Sequence, residues 1–191
     1  MGIRKLLFAG AMLPLAAVAQ EQSLDYTYVE ATYTSVEEDF GLVDIDGNGF
    51  GVKGSLAVSD SVFLFAGYAT EDYDDVDVDG TKYDLGAGMR WGLNPRLDLV
   101  GELAWMHAEA DAGAISADDD GLGLGVGLRS RVHDDIELQG GLRYVDFDDS
   151  DTFLSFGGRY YFTDSVAAGF GLDFNDDWTG WNLGIRAEFG N

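Results

Sequence analysis

An all-β fold, a transmembrane antiparallel up-and-down β-barrel of about ten strands with eight as the alternative, is what three features of this sequence predict. The chain opens with an export-type leader. Ten later runs of about ten residues alternate apolar with polar or small side chains, the period of a sheet with two unlike faces. No stretch after the leader approaches the ~20 consecutive apolar residues of a membrane helix.

The leader carries Arg4 and Lys5, an apolar run from Leu6 to Val18, and the small-x-small sequence Ala17-Val18-Ala19 that signal peptidase cuts. The run is short for an anchoring helix and polar sequence follows at once, so the reading is a cleaved signal peptide over residues 1–19 and one domain over 20–191. Removing Arg4 and Lys5 takes the formal net charge from −24 to −26. Such a chain repels nucleic acid, and with 46% hydrophobic and 13% aromatic residues it is too apolar for a disordered acidic tail. The absence of cysteine excludes disulfides, a thiolate nucleophile and a zinc–thiolate centre.

The alternating runs cover, in order, 24–34, 48–58, 62–70, 81–92, 97–108, 121–132, 136–146, 152–162, 166–175 and 179–189. The breaks at Ser59 to Ser61, Gly92 to Arg96, His133 to Asp135 and Thr163 to Ser165 are short, and most of the others are longer. Short periplasmic turns facing longer extracellular loops are the pattern of an outer-membrane barrel, and an even strand number puts both chain ends on the periplasmic side. Pro95 falls in a turn, where a missing N–H breaks no ladder.

Successive side chains of a strand point to opposite faces, so parity assigns each residue to lipid or lumen. In the fourth run Tyr83, Leu85, Ala87, Met89 and Trp91 share one face, and Lys82, Asp84, Gly86, Gly88 and Arg90 the other. The sixth run sets Leu122, Leu124, Val126 and Leu128 against glycines and Arg129. By this parity Lys53, Lys82, Arg90, Arg129, Arg131, Arg143, Arg159 and Arg186 all point inward, as do Glu30, Asp84, Asp98, Glu102, Glu137, Asp173 and Glu188. The expected site is a lumen charge network of Glu30, Lys53, Asp84, Arg90, Glu102, Arg129, Arg143, Arg159, Asp173, Arg186 and Glu188. It serves either as internal pairing that fixes the barrel or as a pore lining. Phe63, Phe65, Phe153 and Tyr161 also project inward, with the glycine wall of the sixth run as the expected room for them. Aromatics close the lipid face at both ends: Tyr33, Tyr68, Tyr83, Trp105, Tyr144 and Trp181 on the loop side, Trp91, Tyr160, Phe162 and Phe189 on the turn side.

The expected loops hold nearly all the remaining acid: Glu37, Glu38, Asp39, Asp44, Asp46, Glu71, Asp72, Asp74, Asp75, Asp77, Asp79, Glu109, Asp111, Asp118 to Asp120, Asp148, Asp149, Asp151, Asp176 and Asp177. Two stretches, Asp75-Val76-Asp77-Val78-Asp79-Gly80 and Asp44-Ile45-Asp46-Gly47-Asn48-Gly49, have the first half of a calcium loop, with carboxylate oxygens for a hard cation. The twelfth position counted from Asp75 is Gly86 rather than a bidentate Glu. The candidate metal ligands are therefore Asp75, Asp77, Asp79, Asp44 and Asp46, for weak Ca2+ at the extracellular side. A solvated rim that gathers divalent cations by its field, bridging to lipopolysaccharide, is the other reading.

The leader, the opening Tyr26-Thr27-Tyr28-Val29-Glu30, the block Gly51-Val52-Lys53-Gly54-Ser55 and the terminal strand together resemble small outer-membrane barrels of the OmpX and OmpA transmembrane type. Asn182 to Phe189 is similar to the C-terminal signal read by the barrel assembly machinery, with two residues added after the aromatic. Ten runs rather than eight is a second departure. The resemblance implies a bacterial outer-membrane location, with outer-membrane lipid and the assembly machinery as partners. The function expected is a non-enzymatic surface or membrane-integrity role with an acidic extracellular rim; a narrow porin-like channel is the alternative, and a membrane-embedded hydrolase a third. Only His107 and His133 could serve a hydrolase as base, and no Ser adjoins His107.

Overall fold

A computed structural model describes residues 24–39, 44–73, 78–113, 116–176 and 178–190. The ten strands are β1 (Tyr28–Asp39), β2 (Asp44–Ala57), β3 (Val62–Tyr73), β4 (Val78–Asn94), β5 (Leu97–Asp111), β6 (Ser116–His133), β7 (Ile136–Asp146), β8 (Ser150–Thr163), β9 (Val166–Phe174) and β10 (Trp178–Glu188). Each pairs antiparallel with its neighbours in sequence, and β10 pairs with β1 to close the barrel. Closure leaves no sheet edge for lipid to meet, which is the condition for strands in a bilayer. The expected fold and strand number are those observed, and the proposed leader over 1–19 lies outside the described residues.

Parity holds through the membrane band. Leu85, Leu103, Leu122, Leu124, Ile185 and Phe189 are exposed, and the inward Lys53, Arg129, Glu137 and Arg186 are 0% exposed. The aromatics expected at the ends of the lipid face point outward, Phe189 at the turn side being the most exposed at 67%.

Two expectations change. The first run was expected to start at Leu24, but β1 begins at Tyr28, and Leu24 and Tyr26 turn into the lumen, where both are buried. Asp25 anchors that turn: its carboxylate accepts from Thr27 N at 2.7 Å and from Gly190 N, so the two ends of the described chain are clasped together. The long outer loops are also mostly strand. Asp44, Asp46, Glu71, Asp72, Asp79, Glu109, Asp111, Asp118, Asp119, Asp120 and Asp151 all lie within strands, and the barrel projects beyond the apolar band.

Along this projection the polarity of the two faces reverses. Outward positions become acidic, with Asp72, Asp79 and Asp111 side by side in the register of β3, β4 and β5. Inward positions become apolar: Val36, Tyr73, Val78, Ala108, Ala110, Val145, Phe153 and Trp178 form one buried cluster. Alternation thus continues with its sign changed, because the outside of the sheet passes from lipid to water. On β6 the change falls between Asp120 and Leu122, both exposed.

The expected glycine wall is also relocated. Phe63 and Phe65 pack against Gly88 and Gly86 of β4, where an added Cβ would lie 2.0 Å and 2.3 Å from the respective ring tips. On β6, Gly121 faces Phe147 and Gly123 faces Met106. A methyl at Gly88 must displace a packed ring, so Gly88→Ala is expected to destabilise the barrel by about 1–3 kcal/mol. Gly54→Ala, whose Cβ meets nothing within 4 Å, should be nearly neutral. Reversible urea unfolding in lipid vesicles checks the pair.

Candidate functional site in the barrel lumen

The inward charges of β1, β6, β7, β8 and β10 meet in the periplasmic half of the lumen. Arg129 binds Glu137 through two nitrogens, Nη2 lying 2.5 Å from Oε2 and Nε donating to Oε1. Glu137 Oε1 also accepts from Arg159 Nη1 at 2.8 Å. Arg159 Nη2 lies 3.1 Å from Glu30 Oε1, and Arg186 Nη2 lies 2.7 Å from Glu30 Oε2. Glu188 Oε1 completes the circuit, 3.9 Å from Arg186 Nη1 and 3.4 Å from Arg129 Nη2. Six charges of alternating sign therefore form a closed ring.

Neighbours support the ring on both sides. The Tyr161 hydroxyl lies 2.7 Å from Glu188 Oε1 and 2.9 Å from Glu137 Oε2, and its one proton serves either carboxylate. Gln139 Oε1 accepts from Arg159 at 2.7 Å. The Arg186 guanidinium covers the Tyr28 ring at 3.6 Å and that of Arg131 covers Tyr161 at 3.8 Å, which suits the weakly hydrated face of Arg. Beneath, Tyr26 stacks on Phe63 at 4.6 Å, and the Asp25 carbonyl accepts from Arg129. Burial holds the Tyr26 hydroxyl well above the ordinary phenol range.

Of the residues expected in the network, Glu30, Arg129, Arg159, Arg186 and Glu188 are in the ring. Arg143 pairs with Glu102 at 3.2 Å as a separate contact. Asp173 accepts from the Asn182 amide at 2.9 Å. Lys53, Asp84 and Arg90 make no ion pair among the described residues; Lys53 sits 4.1 Å over the Phe65 ring and Arg90 sits 4.8 Å over Tyr26. Glu71, read as a loop acid, instead points inward and binds Lys82 at 2.6 Å. Parity would have placed it there had the third run been extended one residue. Glu137 was inward by parity, but its place between two arginines and the role of Tyr161 depend on register across the barrel, which no single run contains.

Three of the five proposed calcium ligands lie among the described residues. Asp75 and Asp77 lie outside the described residues, while Asp44, Asp46 and Asp79 belong to extended, paired strands. A strand cannot wrap around an ion as a calcium loop does. Among the described residues no group of three or more His or acidic side chains is placed to hold a metal. His107 packs beside Trp105, with Nδ1 3.0 Å from Asp120 Oδ1 on the outer wall, and His133 is exposed at a periplasmic turn.

Residues 6–174 match the family described as outer membrane protein beta-barrel domain. The chain belongs to that family. This outer-membrane β-barrel is similar in fold to the KdgM porin, solved in complex with disordered oligogalacturonate, with 10% identity over 86% of this chain and 100% of that one and a TM-score of 0.50. Ail, the attachment invasion locus protein of Yersinia pestis, matches at 16% identity over 85% and 97% of the two chains with a TM-score of 0.44. The N-terminal barrel domain of Pseudomonas aeruginosa OprF matches at 16% identity over 86% and 99%, also at 0.44. None of the curated proteins matches.

Removing one member of a buried ring strands the others without counter-charge. Glu137→Gln is expected to cost about 3–5 kcal/mol of stability. Arg96→Ala, which breaks the exposed Arg96–Asp134 pair of 2.8 Å, should cost less than about 1 kcal/mol. Urea titration of both variants in vesicles gives the comparison.

Proposed function

We propose that this outer-membrane barrel is a non-enzymatic protein, closed to solutes, that acts through its projecting acidic collar at the cell surface and supports membrane integrity. The observation that carries the reading is the filling of the lumen: aromatics and the charge ring occupy the periplasmic half, and the apolar cluster around Phe153 and Trp178 occupies the outer part. A small barrel filled by side chains has a packed interior, and its surface is then what it offers to partners. The partners are lipid and lipopolysaccharide, whose anionic groups are bridged to the collar by divalent cations held in its field. On the outer wall His107 sits among Asp120 and the rings of Tyr83 and Trp105, neighbours that favour an interfacial role over hydrolysis.

The channel reading has its support in the porin fold of KdgM, a likeness of fold at 10% identity. Planar-bilayer recording separates the two. Purified, refolded protein is expected to show no steady open-state conductance, and stable voltage-dependent steps would favour the channel. For the collar, calorimetric titration should give a shallow response, similar for Ca2+ and Mg2+ and lost as salt rises, because a diffuse field is screened within a Debye length. A saturating response selective for Ca2+ would favour the loop sites.

A further inference from the structure

The segment ahead of β1 occupies the periplasmic mouth of the barrel. Leading residues of a domain are poorly ordered unless contacts tie them down, yet Leu24 and Tyr26 are 1% and 2% exposed. Tyr26 stacks on Phe63 of β3 and lies against the guanidinium groups of Arg90 on β4 and Arg129 on β6, at 4.8 Å and 5.9 Å from its ring centre. The Asp25 carbonyl accepts at 3.3 Å from Arg129 Nη1, a nitrogen that makes no contact within the charge ring. At the rim, Thr27 Oγ1 accepts from Ala57 N of β2 at 3.2 Å, and Thr27 O accepts from Phe189 N at 2.8 Å. The Asp25 carboxylate accepts from Gly190 N.

The chemistry of each contact matches its partner. Arg90 makes no ion pair among the described residues, and the face of Tyr26 replaces part of the hydration that its guanidinium loses. Gly190 is one of the two residues by which the chain runs past its terminal aromatic. A Cβ there would lie 2.3 Å from an Asp25 carboxylate oxygen, so the missing side chain is what lets the carboxylate reach the backbone N–H. A carboxylate accepting from a backbone N–H makes one of the stronger hydrogen bonds, and this one joins residues 165 apart in sequence. The partners of Leu24 to Thr27 come from β2, β3, β4, β6 and the end of β10, so all of them are in place only after β10 has met β1. Seating of the segment therefore follows closure of the sheet, because the entropy of closing so long a loop has to be offset first.

We propose that Leu24 to Thr27 form a latched stopper: Tyr26 fills the periplasmic mouth, and the Asp25–Gly190 clasp holds it there once the barrel has closed. The stopper shields the periplasmic side of the charge ring from water, while the ring itself holds the seam. Because the segment lies ahead of the sheet, it can swing out by local opening without unpairing β1. The stopper rests on the closed-lumen reading and is the part of the molecule that shuts one end.

The chain has no cysteine, so a single thiol reports on shielding without background. Val100→Cys on β5 tests the mouth, since Val100 is 0% exposed and lies in the register row of Arg90; Ala110→Cys, at the outer end of the same strand, is the control. Both are made in the unaltered protein and in three backgrounds: Asp25→Ala, Asp25→Asn and a chain ended at Phe189. Each is treated in lipid nanodiscs with a sulfonate-bearing methanethiosulfonate, after its heat-dependent gel shift has shown a closed barrel. Asp25→Ala and the shortened chain are each expected to speed labelling at Val100→Cys by about tenfold or more, as loss of a strong hydrogen bond raises the open population, with Ala110→Cys unchanged. Asp25→Asn, which keeps an acceptor for Gly190 N, should label at close to the unaltered rate. Asp25→Ala combined with shortening should give no more than either alone, because both break the same bond. Equal protection of Val100→Cys in every background would overturn the proposal, as would a parallel rise at Ala110→Cys, the sign of a barrel loosened throughout. Neither result touches the closed-lumen reading, whose failure shows as bilayer conductance, because the ring and the outer apolar cluster fill the lumen beyond the mouth.

Discussion

The contact of Glu30 with Arg159 and Arg186 is the interaction on which the closed barrel most depends. Glu30 is the only member of the charge ring supplied by β1, and it binds arginines from β8 and β10. It therefore joins the first strand to the last third of the chain across the seam where the sheet closes. Backbone pairing in the seam is symmetric to a slip of two residues, since parity survives such a slip. The ring does not, because moving Glu30 by two positions removes it from both guanidinium groups. Charges that contribute modestly to net stability can still specify register, and a ring with Arg at three corners does so across five strands.

The same alternation that builds the ring also explains the collar. Below the outer interface the sheet is apolar outside and charged inside; above it, acidic outside and apolar inside, with no change in secondary structure. Strands such as β4 and β6 run through both regimes, so they are long, and the outer connections between them are correspondingly short. The negative charge of the chain is thus displaced outward. The buried lumen has nearly balanced cations and anions, and the excess acid faces water on the collar.

The membrane-spanning part was legible because one face had to be apolar: the ten runs, the inward Lys and Arg, and the aromatic ends all follow from period two. The limits of that reading have the same origin. The runs end where apolar residues leave the outer face, so the extensions at Val78 to Gly80 and Ser116 to Asp120 read as loops, although their alternation continues with reversed sign. The inward turn of Leu24 to Thr27 was hidden because Tyr26 keeps the parity of Tyr28 and Glu30 while leaving the sheet. Which inward charges touch depends on shear and register around a closed sheet; that is why Glu30 and Arg186 could be placed in the lumen, but the separation of Lys53 and Asp84 from the ring could not be read.

A double-mutant cycle on Glu30→Gln and Arg186→Met, measured by reversible unfolding from lipid vesicles, tests most directly whether the ring couples the first strand to the last. The two residues share a register row and a 2.7 Å contact. Contacting members of one ionic network couple by about 0.5–3 kcal/mol, and a pair this deeply buried should fall in the upper half of that range. Losses that simply add would contradict the account, since the seam would then be held by its backbone ladder alone.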